Sequence, residues 1–420
     1  MLNRSISKWE MVLLIINGVI GAGIFGLPAK AYKDAGLYSI PALLICAAVV
    51  FVIVFCFAEV SSRFSKTGGP YVYASVLGRW PAFLTGWLLL LTRFITFAAL
   101  INLLVTYLSV FSPWFVTDVG RPATIIGATA LLTWFNYVGV HHSTRINNVL
   151  TVAKLAALLT FVVVGCFFID GTRFQANAFP GFSSFSSTIL LLVFAFGGFE
   201  SVLVNTGEVK DPEKNLPFAL LTGTVLIATF YLLILIVSIG TLPGLAQSEK
   251  PLAEAAAMMM GRWGALFIAV GATCSIIGTL NAIMLAGSRL PYAFSEEGQF
   301  PSWFSFVHPR FKTPTRSLVF YSLVTCVISL SYGFLSAASI SAITRVMIYG
   351  VVCLTLIQLR KAPGVQKSGY QIRYGIPVAI AGMLICAWLI SSAKLVELRD
   401  IAIAIAVGGA IYFAVRLKQK

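Results

Sequence analysis

The sequence predicts an all-α membrane protein of twelve transmembrane helices arranged as an inverted repeat, and three observations carry that reading. Of the 420 residues, 58% are hydrophobic and 11% charged, at a mean hydropathy of +0.90, more apolar surface than a soluble chain of this length can hide. The apolar residues fall in twelve runs, near 9–28, 40–60, 83–108, 124–140, 149–169, 187–206, 216–241, 263–288, 317–333, 336–358, 375–392 and 401–416. Two of those runs, the first and the sixth, carry helix-loosening glycines at their centres: Gly21-Ala22-Gly23-Ile24-Phe25 and Phe196-Gly197-Gly198-Phe199-Glu200.

Taken in order, span 1 has the look of a secretory leader, with Arg4 and Lys8 ahead of it and Ala29-Lys30-Ala31 after it, but its four glycines and Asn17 make a poor one. No long polar segment separates later spans, so a single membrane domain over 1–420 is expected, with repeats at about 9–169 and 187–360 and two extra helices at 375–392 and 401–416. Spans 1 and 6 are five helices apart, and an odd offset makes the second copy cross the membrane in the opposite sense.

Basic residues set the orientation. With a cytoplasmic amino terminus, nineteen Lys and Arg lie inside and eight outside, leaving Arg93, Lys154 and Arg345 within spans. This bias puts both termini in the cytoplasm and the chain in the cell (plasma or inner) membrane. The net charge of +15 needs no nucleic acid, because cytoplasmic loops facing anionic lipid account for it. The seven cysteines lie in apolar runs without metal-ligand spacing and read as small buried hydrophobes, so neither a metal nor a cofactor is expected.

The breaks are the candidate site. An unpaired amide in hydrocarbon costs several kcal/mol, so an unwound span persists only where protein, ions or a polar ligand satisfies it. A fragment beginning near Gly23 presents free N–H groups, and one ending near Val19 and Ile20 presents free carbonyls. Together they suit the carboxylate and ammonium of an amino acid zwitterion. Ile20, Gly21, Ala22, Gly23 and Ile24 form the first half of that cradle, and Phe194, Phe196, Gly197 and Gly198 the second. The competing account is that the glycines merely let helices approach closely. Asn281, polar on an apolar span, either touches the substrate side chain or bonds a neighbouring helix. Glu200 either caps the amides after the second break or titrates during transport. Glu59 and Arg63 are spaced for a local ion pair, and Arg93 and Arg345 each need an acceptor that sequence does not identify.

Several linked motifs then resemble one family. Gly18-Val19-Ile20-Gly21-Ala22-Gly23-Ile24-Phe25 with Pro28 resembles the helix 1 signature of the amino acid, polyamine and organocation (APC) permease superfamily. Ser65-Lys66-Thr67-Gly68-Gly69-Pro70-Tyr71, Glu208-Val209-Lys210-Asp211-Pro212 and Glu297-Gly298-Gln299-Phe300-Pro301 are similar to its connecting segments, and the likeness covers about 5–420. Asn281 to Leu290 and Ser143-Thr144-Arg145 look closest to the L-amino-acid exchanger branch.

The resemblance implies a LeuT-like five-plus-five inverted repeat with discontinuous helices 1 and 6, working by alternating access as a secondary amino acid transporter. It places Lys154 where sodium-coupled relatives hold an ion, implying sodium-independent transport with Lys154 as a proton-exchange candidate; a lysine stem snorkelling to the surface is the plainer role. It also places Phe194 where related antiporters set an aromatic gate. Exchangers with a glycoprotein partner use a cysteine after helix 3; residues 109–122 have none, so no disulfide-linked partner is expected.

Neutral amino acids are the expected substrates, with protons as possible co-substrates and the bilayer as the remaining partner. Basic amino acids, polyamines and a non-translocating nutrient sensor stand as alternatives. An enzyme is not expected: the three histidines, His141, His142 and His308, sit at span ends or in loops, and no metal-binding His-Glu-x-x-His segment or paired intramembrane aspartates occur.

Overall fold

The computed structural model describes residues 6–21, 23–64, 69–139, 144–175, 178–203, 209–361 and 370–417. Ala22, Ser65 to Gly68, His141 to Ser143 and Glu208 lie outside the described residues. Among the described residues the secondary structure is helical, with one isolated backbone pairing in which Ile6 lies parallel to Val209.

Span 1 is two helices. Ser7 starts α1 (Lys8–Val19) with a reciprocal cap, its hydroxyl accepting from the Glu10 amide while the Glu10 carboxylate accepts from the Ser7 amide. The chain leaves the helix at Ile20, whose ψ of 77° ends the ladder, and resumes as α2 (Gly23–Ala35). Next come α3 (Ser39–Ser61), the short α4 (Pro70–Ala74), α5 (Arg79–Leu108), α6 (Gly120–Tyr137) and α7 (Thr144–Gly165).

Span 6 is broken in the same manner. α8 (Phe182–Phe196) stops at Gly197, whose ψ of 148° is extended, and a single turn, α9 (Phe199–Val202), follows. Gly198 between them has φ 127°, a conformation closed to residues with a Cβ, and a Cβ there would also collide with the Gly18 carbonyl.

The chain continues through α10 (Pro212–Thr241), α11 (Pro251–Glu296), α12 (Thr315–Ser331), α13 (Phe334–Lys361), α14 (Gly375–Ser391) and α15 (Leu395–Leu417). Among the described residues, six apolar stretches are by length and composition long enough to cross a membrane: Gly23–Ser61, Arg79–Leu108, Pro212–Thr241, Pro251–Glu296, Phe334–Lys361 and Leu395–Val415. Shorter apolar helices run over Thr151–Gly165, Phe182–Phe196, Thr315–Ser331 and Gly375–Ser391.

Two boundaries differ from expectation. α11 begins twelve residues before the apolar run at 263, because Pro251 to Met260 forms a short alanine-rich helix carrying Glu254, and a left-handed Gly261 (φ 65°) joins it to the long helix. The span expected over 149–169 ends as helix at Gly165, after which Cys166 to Phe168 turn and face outward. Cys166 is therefore exposed rather than buried, whereas Cys46, Cys56, Cys353 and Cys386 are buried.

At the side where α1 begins, the carboxylate of Glu59 is fully buried and gathers three elements. It accepts from Arg63 at 2.7 Å, from both Arg360 Nε and Nη2 at 2.8 and 2.6 Å, and from the Ile372 amide at 3.0 Å. The local pair with Arg63 thus belongs to a cluster that ties the ends of α3 and α13 to the segment before α14.

Candidate functional site

The two breaks face each other across one cavity of about 660 Å³. Gly18, Val19, Gly21 and Gly23 line it from span 1, and Phe194, Ala195, Gly197, Gly198 and Glu200 from span 6. Gly23 lies so close to α8 that a Cβ would sit 3.2 Å from both the Ala195 Cα and the Phe194 ring. The close-packing account of the glycines and the binding account therefore describe the same residues.

Polar groups converge on the broken ends. Lys154, 4% exposed, projects from α7 and donates from Nζ to the carbonyls of Asn17 at 2.8 Å and Ile20 at 2.7 Å. An ammonium at a helix C-terminus satisfies carbonyls that the ended ladder leaves open and meets the negative end of the helix dipole. The stem does not snorkel to the surface.

Tyr231, fully buried on α10, sets its hydroxyl 3.0 Å from the Val19 carbonyl and 2.9 Å from the Ala195 carbonyl. One hydroxyl proton thus serves the last turns of both broken helices. This corrects the expectation of free carbonyls near Val19 and Ile20: protein donors already engage them, as Tyr231 does at Ala195, because bare acceptors at this depth are costly. The N–H groups opening α2 are the half of the cradle with the least competition, since a helix start supplies no acceptors of its own.

Glu200 forms an ion pair with Arg345 of α13 and accepts from the Gly198 amide at 2.9 Å, with the Tyr349 hydroxyl at 3.5 Å. It thus takes the capping geometry and also the charge partner that sequence left unidentified for Arg345. Arg345 donates in addition to Thr96 at 3.3 Å, and a Cβ at Gly197 would strike its guanidinium. Phe57, Phe199 and Tyr349 pack as an aromatic wall behind the pair.

Not every expected residue reaches the cavity. Asn281 lies off its wall and accepts a hydrogen bond from Asn136 of α6 at 2.9 Å, while its neighbours Thr279 and Ala282 line it. Ile24 and Phe196 are buried in helix packing, Phe196 edge-on to Tyr231. Ile20 contributes its carbonyl to Lys154. Phe194 does line the cavity, its ring edge-on to Phe334, which also packs against Gly26.

The other end of the cavity reaches Tyr71 of α4 and Arg289 and Glu297 of α11. Tyr71 donates to the Glu297 carboxylate, and Gln299 donates to both at 3.0 Å. Burial and that carboxylate push the Tyr71 hydroxyl up from its ordinary value, which keeps it a donor.

Tyr231, Thr96 and Thr279 were missed by sequence reasoning. A tyrosine or threonine in an apolar span carries no periodic signal; only the place where the chain breaks gives its hydroxyl a special acceptor.

A multi-pass helical protein with two opposed helix breaks around a cavity that holds several charged side chains is a membrane transporter by class. The model of the amino acid permease family matches residues 6–407, and the chain belongs to that family, one of transporters rather than enzymes. It is 29% identical to the methylthioribose transporter of Bacillus subtilis, covering 98% of this chain and 93% of that protein. It is 24% identical to the branched-chain amino acid permease BcaP of the same organism, again covering 98% and 93%, and 28% identical to its serine/threonine exchanger SteT, covering 88% and 86%.

Proposed function

We propose that this protein is a secondary active transporter of amino acids without a cationic side chain, the neutral ones first, working by alternating access and independently of sodium. Twelve spans in a LeuT-like five-plus-five inverted repeat, in a cell membrane with both termini cytoplasmic, complete the reading. The observation that carries it is the Lys154 ammonium held on the Asn17 and Ile20 carbonyls beside the opposed breaks, a fixed cation where a bound ion would otherwise satisfy α1.

Gly21 to Gly23, with Phe194, Gly197 and Gly198, form the substrate cradle in this reading, with the amides opening α2 receiving the carboxylate. Ala22 belongs to it by position in the sequence. Lys154 and Glu200 are the coupling residues, and either proton symport or exchange follows from them. The printed names of BcaP and SteT support amino acids. A basic amino acid or polyamine is disfavoured because Arg93, Lys154 and Arg345 line the cavity while Glu200 is already paired.

The test is counterflow of labelled amino acids into liposomes holding the purified protein, with and without sodium. Saturable exchange at equal rates in sodium and in choline is expected. Strict dependence on a sodium gradient would remove the role given to Lys154, and binding without exchange would favour a sensor. The methylthioribose relative supports a second reading, a neutral polar solute other than an amino acid, so methylthioribose belongs among the competitors.

A further inference from the structure

A second cavity, separate from the one at the breaks, lies between α6 and α12 with a volume of about 490 Å³. One stripe of each helix walls it, with Ile126, Ala130 and Trp134 on α6 and Val319, Leu323 and Cys326 on α12. The large side chains among them are exposed. The Thr133 and Ser322 hydroxyls sit 2.8 Å apart and bond the Thr129 and Leu318 carbonyls, so the groove suits an apolar occupant. From Ile126 to Tyr137 the stripe runs about 16 Å at 1.5 Å per residue, close to the roughly 15 Å of hydrocarbon in one leaflet.

One end of the groove is capped by charge. α6 ends at Tyr137 and α12 starts at Thr315, and the turn before α12 is pinned to α6, Thr313 donating to the Tyr137 carbonyl at 3.0 Å and the His308 amide to the Thr313 carbonyl at 2.9 Å. The Phe311 ring packs 5.6 Å from Tyr137, and the exposed Arg310 lies over it at 5.4 Å. Lys312 beside them is exposed, and Arg316, one turn before Val319 on α12, lies 4.4 Å over the Phe306 ring. Residues 302–316 carry these three Lys and Arg and no Asp or Glu.

We propose that this groove binds one anionic glycerophospholipid, an acyl chain lying between α6 and α12 and the phosphate resting on Arg310, Lys312 and Arg316. The apolar lining and the length of the groove fit the chain, and the cations fit the headgroup. A zwitterionic lipid with the same chains fits the groove equally but gains less from the three positive charges. Trp134 and Tyr137, stacked at 6.4 Å, stand between the two parts, where aromatic rings mark the boundary of acyl chains and headgroups. The turn that holds the cations is built by its own hydrogen bonds and by its tie to α6, so the site is formed before a lipid arrives. It does not depend on which solute the substrate cavity carries.

The experiment titrates the full chain in detergent micelles with dioleoylphosphatidylglycerol and, in parallel, with dioleoylphosphatidylcholine, which carries the same chains. Thermal unfolding and native mass spectrometry report binding. The glycerol lipid is expected to half-saturate at a concentration about tenfold or more below the choline lipid. Arg310→Gln combined with Lys312→Gln and Arg316→Gln is expected to erase that ratio, and Leu323→Trp, which fills the groove from an exposed position, to weaken both lipids. Equal half-saturation by the two lipids in the wild type overturns the inference even where a variant does not fold. A preference that survives the triple substitution, or lipid binding untouched by Leu323→Trp, overturns it too. Sodium phosphate alone is expected to leave the unfolding midpoint unchanged; stabilisation matching that of the glycerol lipid would assign the cations to a free anion instead. A dimer in micelles that Leu323→Trp separates would give the groove to a second copy of the chain and remove the lipid from it.

Discussion

At Lys154 one side chain satisfies two carbonyls at the end of α1, and the consequences of removing it are specific. Lys154→Met leaves the carbonyls of Asn17 and Ile20 facing an apolar group, at about 1–3 kcal/mol for a buried polar group without its partner. A lower thermal midpoint and loss of most counterflow are expected; unchanged exchange would show that α1 needs no charge at its end. Gly198→Ala tests the second break, since its φ of 127° and the nearby Gly18 carbonyl leave no room for a methyl group. Transport is expected to fall at least tenfold, with stability lowered by roughly 1–3 kcal/mol, and counterflow at the wild-type rate would contradict it.

These glycines and the two ionisable residues were legible in the sequence because charge and missing side chains are anomalous in an apolar span. Tyr231 was not, although it serves both broken helices. Asn281 takes the second of the two roles the sequence left open: a polar residue on a span signals a hydrogen bond, and its partner Asn136 sits on a neighbouring helix rather than in a ligand.

Among elements, the apolar runs located most helices because bilayer thickness imposes a length on them. The start of α11 escaped because Pro251 to Gly261 is too short and too alanine-rich to register as a span, and its join to the rest turns on one left-handed glycine. The spacing of Glu59 and Arg63 was readable, being one helical turn, while Arg360 lies some three hundred residues away and only the fold brings it in.

That cluster fastens α3 to α13 at the amino-terminal side. Glu59→Gln leaves two guanidiniums around a buried neutral amide, and breaking such a pair costs about 3 kcal/mol or more. Unfolding of the solubilised protein should shift down by several degrees. Arg360→Gln, which leaves Glu59 still paired with Arg63, should cost less, and the reverse order would mean that Arg360 acts through some other contact.

For the whole molecule, the cavity has a direction. It extends from the breaks to Tyr71, Arg289 and Glu297, and Phe334 packs against Gly26 and Phe194 on α2 and α8. We propose, from the basic-residue bias, that this end faces the cytoplasm, which makes this conformation the inward-facing one in the alternating-access reading. Cys274 lies on the cavity wall and serves as a reporter. In a variant keeping Cys274 as its sole cysteine, an impermeant maleimide should label inside-out vesicles faster than right-side-out ones. A transported amino acid should slow that labelling by occupying the same space. Faster labelling from the outside would reverse the orientation. Equal labelling from both sides, undiminished by any substrate, would describe an open pore, for which paired breaks and a fixed ammonium have no use.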